Sequence, residues 1–226
     1  MSRGNSRLNT VSSGDEMNLH SVQDLLAEAE LKYLMQPYSQ IITPQESKPI
    51  IVITQDSLIA AYLMSTKVFN ITREQFMHVC SDLKKWDGRD VYDEKRIQLI
   101  SDLYKDQKSK HSVYSGRGLF SLILPSDFFY KNKNDINPNE PCVVIEQGVY
   151  MGGSIDKAIL GYAHNSMIQH LNKEYGPIIT SNIIDNIHFI AHAWLLIHGF
   201  SIGLEDCMIT STTSQTAIQD SLKECY

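Results

Sequence analysis

The longest apolar tract in the chain, Ile187 to Ile197, lies between the helix-breaking signals at Gly176-Pro177 and Gly199, and any fold of this chain has to bury it. His188 and His192 interrupt it, and it falls well short of the ~20 apolar residues that a bilayer span requires. The tract reads as the later part of a long core helix, roughly residues 181–198, with Gly199 as its carboxyl-terminal stop. A shorter helix over about 166–174 precedes it and ends at Gly176-Pro177. His188 and His192 are spaced i,i+4 and share a face, as two metal ligands would. A helical zinc-protease signature also needs Glu directly after the first His; Phe189 stands there, and no third ligand is evident. The pair therefore reads as core or interface histidines hydrogen-bonded locally.

The remaining chain supplies elements to pack against that helix. Residues 1–13 are polar and aperiodic, a disordered stretch or a remnant of something longer. Val22, Leu25, Leu26, Ala29 and Tyr33 recur at helical spacing, with Ser21 as cap and Pro37 as stop. Ile50-Ile51-Val52-Ile53-Thr54 is rich in β-branched residues and predicts a buried strand. Asp56 or Ser57 caps a short helix through Leu63, and Thr72-x-x-Gln75 is a capping box for a helix to about residue 84. Residues 90–110 are charged with a weak helical period. Leu119 to Leu124 predicts a second strand closed by Pro125, preceded by a tight turn at Ser115-Gly116-Arg117-Gly118. Residues 131–141 read as a surface loop, Cys142 to Glu146 as a third strand, and Gly148, Gly152 and Gly153 as a hairpin or bulged return. A last helix begins near 214. The fold class is α+β, short strands among helices of uneven length, without the alternation of a doubly wound sheet.

Charge narrows the function. A net charge of −6 argues against a free-standing nucleic-acid binder that works by phosphate neutralisation. Cys80, Cys142, Cys207 and Cys225 form no Cys-x-x-Cys pair, so no zinc ribbon is indicated, and scattered thiols fit a reducing compartment. No apolar run follows Met1 to Arg7, so no secretory signal is expected. The expectation is a soluble intracellular protein without membrane contact. Ser115 to Gly118 lacks the spacing of a phosphate-binding loop. Trp86 and Phe128-Phe129-Tyr130 lack the interleaved basic residues of a base-stacking groove. No catalytic triad can be read from residue order alone.

Several stretches, in order, resemble the largest subunit of multisubunit DNA-dependent RNA polymerases. Gly14-Asp15-Glu16-Met17-Asn18-Leu19-His20 resembles the end of the active-site signature Asn-Ala-Asp-Phe-Asp-Gly-Asp-Glu-Met-Asn-Leu-His, and Gln23 through Ala29 resembles the helix after it. Ile42-Thr43-Pro44-Gln45, Lys48-Pro49-Ile50, Gln55-Asp56-Ser57-Leu58 and Arg73-Glu74-Gln75-Phe76 follow in the expected places. Gly116-Arg117-Gly118-Leu119-Phe120-Ser121 with Pro125 is similar to a Gly-Lys-Gln-Leu-Phe-Ser segment. Gly153, Lys157, Leu160-Gly161, Trp194-Leu195-Leu196, Gly199-Phe200-Ser201-Ile202-Gly203 and Asp206 complete the series. The eukaryotic and large-DNA-virus forms look more similar than the bacterial one.

The resemblance implies that residues 14–40 are the end of the catalytic barrel domain and its following helix. It makes 41–205 the pore domain and 206–226 the start of the funnel helices. It implies RNA synthesis from nucleoside triphosphates with Mg²⁺, in assembly with other polymerase subunits including the second-largest, on a DNA template and with an RNA transcript. The location implied is the nucleus, a viral transcription site or the virion. Asp15 becomes the candidate catalytic residue and magnesium ligand, and Arg117 a candidate phosphate contact. Asn9 aligns with the leading Asn of the loop as a weaker nucleotide contact. Aligned without a gap, Val11 and Ser13 stand where the family has its first two Asp; aligned with a gap, Arg7-Leu8-Asn9 resembles the Arg-Leu-Asn that lies before the loop, and most of the loop is missing. Either way two of the three carboxylates are absent. The isolated chain is therefore expected to be an inactive fragment, with a non-catalytic paralogue serving as an interaction or structural module as the alternative.

Overall fold

The computed structural model describes residues 16, 18–66, 69–81, 83, 93–106, 112–132, 142–208 and 212–225. Helix α1 (Leu25–Tyr33) and a 3-10 turn (Pro37–Gln40) come first. They are followed by α2 (Gln55–Thr66), α3 (Arg73–Ser81), α4 (Glu94–Asp106) and α5 (Gly116–Leu122). A small sheet is built from β1 (Tyr130–Asn132), β2 (Val143–Glu146) and β3 (Val149–Gly152). Helices α6 (Lys157–Leu160), α7 (Met167–His198), α8 (Leu204–Cys207) and α9 (Thr212–Cys225) complete the order. The mixture of helices with one small antiparallel sheet is the α+β class expected from the sequence.

Helix α7 is the organising element, and it is bent. Gly176 has φ 80 and ψ 173, so the helical path stops there and restarts at Pro177. Proline suits that first position, since its missing N–H would have had no helical acceptor. The Thr180 hydroxyl donates to the Gly176 carbonyl across the break at 2.8 Å. Ser166 caps the start by accepting from the Gln169 N–H, and Gly199 closes the end with its N–H on the Leu195 carbonyl. Within the apolar tract Ile187, Ile190, Ala191 and Trp194 are buried, as are Ile183 and Ile184 just before it, whereas Leu196 is exposed. Along it packs α2, whose buried side includes the small residues Ser57, Ala60, Ala61 and Ser65 and so permits a close approach.

Two expected strands are not strands. Ile51, Val52 and Ile53 are all buried, but they form a connecting segment. Its N–H groups reach separate carbonyls: Ile50 donates to Ile41 at 2.8 Å and Ile53 to Leu160 at 3.2 Å. The β-branched run reported burial, and consecutive burial does not require a ladder. Leu119 to Leu122 belongs to α5, which Ser115 opens by accepting from the Gly118 N–H at 3.3 Å. Every residue of α5 except Arg117 is buried. A helix covered on all sides shows no amphipathic period, so its apolar run looks like a strand in sequence.

The sheet holds the corrections on the other side. Cys142 to Glu146 does contain β2, and the glycine-flanked return is β3, reached through the turn at Gln147-Gly148 with a register shift between Val144 and Ile145. In contrast, Tyr130 to Asn132 is a strand where a loop was expected from 131, pairing Tyr130 with Ile145 and Asn132 with Val143. The capping box is present in both directions: the Gln75 N–H donates to the Thr72 hydroxyl at 3.2 Å and the Thr72 N–H to Gln75 Oε1 at 3.0 Å. Ser21 does not cap α1; Asp24 occupies the cap position, without a side-chain hydrogen bond.

Close packing at the start of α5 generates a test. A Cβ added to Gly118 would lie 1.8 Å from the Val113 carbonyl oxygen, a backbone atom that cannot rotate away. Gly118→Ala is expected to cost about 3 kcal/mol, measured as a lowered urea midpoint. An unchanged midpoint would show that the 113–118 backbone yields easily.

Candidate functional site

Arg117 sits in the first turn of α5, half-buried, with its guanidinium turned into the fold rather than toward solvent. Nε donates to the Ser65 carbonyl at 2.7 Å, Nη1 to Met151 and Nη2 to Gly153, both at 3.4 Å. The same guanidinium lies over the Tyr150 ring, 5.5 Å from its centroid. One side chain thereby joins the end of α2, the start of α5 and strand β3. Burial lowers its pKa from the usual guanidinium value, with Tyr150 and Tyr104 acting in the opposite direction. The segment opens a helix, contrary to the tight turn before a strand expected from the sequence. The donors expected to meet a phosphate face backbone carbonyls.

Around it runs a polar network that the sequence did not reveal. Ser121 Oγ donates to the Arg117 carbonyl at 2.7 Å and accepts from the Tyr150 N–H at 2.9 Å. Ser65 Oγ accepts from the Ile155 N–H at 2.9 Å. Arg96 reaches from α4 to the Gln147 carbonyl at 2.8 Å and the Ser121 carbonyl at 3.3 Å. Two guanidiniums thus hold main-chain carbonyls where sheet and helices meet. The only sequence signal for this was Arg beside glycine, which equally suits an exposed anion site.

A second cluster lies on the α2–α7 seam. Ser57 Oγ is 2.9 Å from His188 Nδ1 and 3.4 Å from His192 Nε2. The histidines do share a face, and their partner is Ser57, which the sequence offered only as a helix cap. Burial lowers the His188 pKa, His192 lowers it further, and Asp185 opposes. Beside the cluster a groove of about 510 Å³ is lined by Asp56, Ile59, His192, Leu195, Leu196, Gly199 and Phe200.

Of the sequence-derived site residues, Asp15 and Asn9 lie outside the described residues. Glu16 is exposed. Magnesium takes oxygen ligands, mostly carboxylates and water. Among the described residues no three His, Cys, Asp or Glu side chains come together as a metal set, so these residues do not fit a magnesium site. Among them, too, no helix is long and apolar enough to cross a membrane.

Two outcomes follow from this geometry. Arg117→Met removes a charged donor and leaves buried carbonyls unpaired, so it should destabilise by about 2–3 kcal/mol in urea unfolding. Arg117→Lys should recover little, because an ammonium lacks the planar fork. Full stability in both variants would contradict the architectural role. For His188 the folded pKa lies below the unfolded 6.5, so the unfolded chain binds the proton first as pH falls. The stability from the neutral ring is complete above that value and declines as pH drops through it toward the folded pKa. His188→Asn should flatten the fall in urea midpoint between about pH 7.5 and 5; an identical slope would exclude His188 as its source.

Comparison with known proteins gives a consistent answer. Residues 40–207 match the family described as RNA polymerase Rpb1, domain 3. The chain is 36% identical over 202 residues to a probable DNA-directed RNA polymerase II subunit RPB1 homolog of Invertebrate iridescent virus 6, covering 86% of this chain and 19% of that protein. It is 31% identical over 204 residues to the DNA-directed RNA polymerase II subunits RPB1-B and RPB1-A of Trypanosoma brucei brucei, covering 88% of this chain and 11% of each. The chain therefore spans less than a fifth of the length of these relatives. With most of its residues inside the match, from the 3-10 turn to α8, the chain belongs to the RNA polymerase Rpb1 domain 3 family.

Proposed function

We propose that this chain is part of the largest subunit of a DNA-directed RNA polymerase and supplies its pore architecture. The observation that carries the reading is the family match over 40–207, which takes in α2 to α7 and the sheet between them. In this reading residues 14–40 close the catalytic barrel, 41–205 form the pore domain and 206–226 begin the funnel. Arg117 acts there as a post that holds α2, α5 and β3 in register. A direct nucleotide contact would require it to release the Ser65 carbonyl.

Catalysis belongs to the assembled enzyme: nucleotidyl transfer from nucleoside triphosphates on a DNA template, with the second-largest subunit and the RNA transcript in place. Magnesium would be held chiefly by carboxylates outside this chain, with Asp15 as the one contributed here and Asn9 beside the nucleotide. The surface supports an assembled role. Helix α1 buries none of its residues, with Leu25 82% and Leu26 68% exposed. At the other end Leu196, Phe200, Ile202, Leu204 and Met208 are uncovered. Apolar area of this extent usually marks a contact with other protein. The second reading, a non-catalytic paralogue that docks on polymerase, is favoured by Val11 and Ser13 standing where the family has carboxylates.

Affinity purification of the tagged chain from its native source should bring other polymerase subunits with it; recovery of the chain alone would count against both readings. The purified chain should bind a hydrophobic dye and show no primer extension with Mg²⁺. Extension that disappears in Asp15→Ala would establish a stand-alone enzyme instead.

A further inference from the structure

The Ser57 hydroxyl is approached from one side of α7 by two imidazole nitrogens, His188 Nδ1 and His192 Nε2. A hydroxyl carries one proton and can donate to only one of them. The rings stand one helical turn apart, 6.3 Å between centroids and 29° from parallel. His192 is exposed and lines the groove of about 510 Å³, so the cluster is open to ions and water. Asp56 lines the same groove and Asp185 acts on His188, whereas among the described residues no lysine or arginine lines it. Local charge therefore favours a cation. Neutral imidazoles suit zinc, copper and nickel over magnesium or calcium.

We propose that His188 and His192 form a chelating site for a divalent transition ion of the zinc class on the α2–α7 seam. The ion takes the lone pairs of His188 Nδ1 and His192 Nε2, so each ring carries its proton on the other nitrogen, Nε2 of His188 and Nδ1 of His192. Ser57 Oγ marks the point on which both nitrogens converge, and binding requires that hydroxyl to turn aside and make room for the ion. Water from the groove completes the coordination, and the Asp56 carboxylate lies on the groove wall. Binding takes up no redox equivalent and breaks no covalent bond. The burial that disfavours protonated His188 keeps its lone pair available at neutral pH. The inference does not depend on the polymerase reading, since it rests on the two helices alone.

The test is calorimetric titration of the 226-residue chain with Zn²⁺, in a Cys207→Ser, Cys225→Ser background that removes one exposed thiol and the thiol next to the carboxyl-terminal residue. One saturable site of micromolar affinity is expected, weakened at least tenfold by His192→Asn and by His188→Asn. His78→Asn, an exposed histidine on α3, should leave it unchanged. Circular dichroism establishes that each variant is folded; His192 is exposed, so its substitution keeps the test valid if His188→Asn unfolds. With Cu²⁺ as probe, electron paramagnetic resonance should show hyperfine coupling to two nitrogens. Absence of saturable binding at submillimolar Zn²⁺, undiminished binding in His192→Asn, or an equal loss in His78→Asn would each overturn the proposal.

Discussion

A half-buried cation bonded to main-chain oxygen is the constraint on which this fold turns. Among the described residues no carboxylate forms an ion pair with Arg117. Its charge is instead stabilised by the carbonyl dipoles of Ser65, Met151 and Gly153 and by the face of Tyr150. Carbonyls are fixed by the backbone, so the interaction holds chain path rather than another side chain. The end of α2 and the last strand are thereby set relative to the helix that carries Arg117. Arg96 repeats the arrangement at the Gln147 and Ser121 carbonyls. A small sheet of short strands has little cooperativity of its own, and these bonds tie it to the helical body.

Three signals of local chemistry were legible in the sequence, although the caps expected at Ser21 and at Asp56 or Ser57 are not formed. The Thr72–Gln75 box, the Gly176-Pro177 break and the Gly199 stop are set by groups within a few residues of each other, and all three are present. The apolar runs at 50–54 and 119–124 were a different case. Their burial was legible, but their backbone conformation was not, because a segment covered on every side has no period to display. Strand β1 was missed because Lys131 and Asn132 look like loop residues until Val144 and Val143 are placed opposite them.

The candidate sites divide along the same line. That His188 and His192 face the same way follows from helical geometry. That they face Ser57, 131 residues before His188, does not. Arg117 was visible as a cation between glycines, but whether it faces a phosphate or three carbonyls depends on where β3 passes. Family membership was legible for another reason: many short matches in a fixed order need no folding argument.

The bend in α7 rests on the handedness of one carbon. At Gly176 the backbone takes φ 80 and ψ 173, and a Cβ built there meets nothing within 4 Å. Space is not the obstacle to a side chain; chirality is. That dihedral pair is the mirror image of ordinary extended backbone, so a D-amino acid would occupy its own favoured basin there. A chain made by chemical ligation with D-alanine at this position would keep the bend while narrowing the freedom of the unfolded state. The longest helix of the fold is divided by a stereochemical requirement at a single residue.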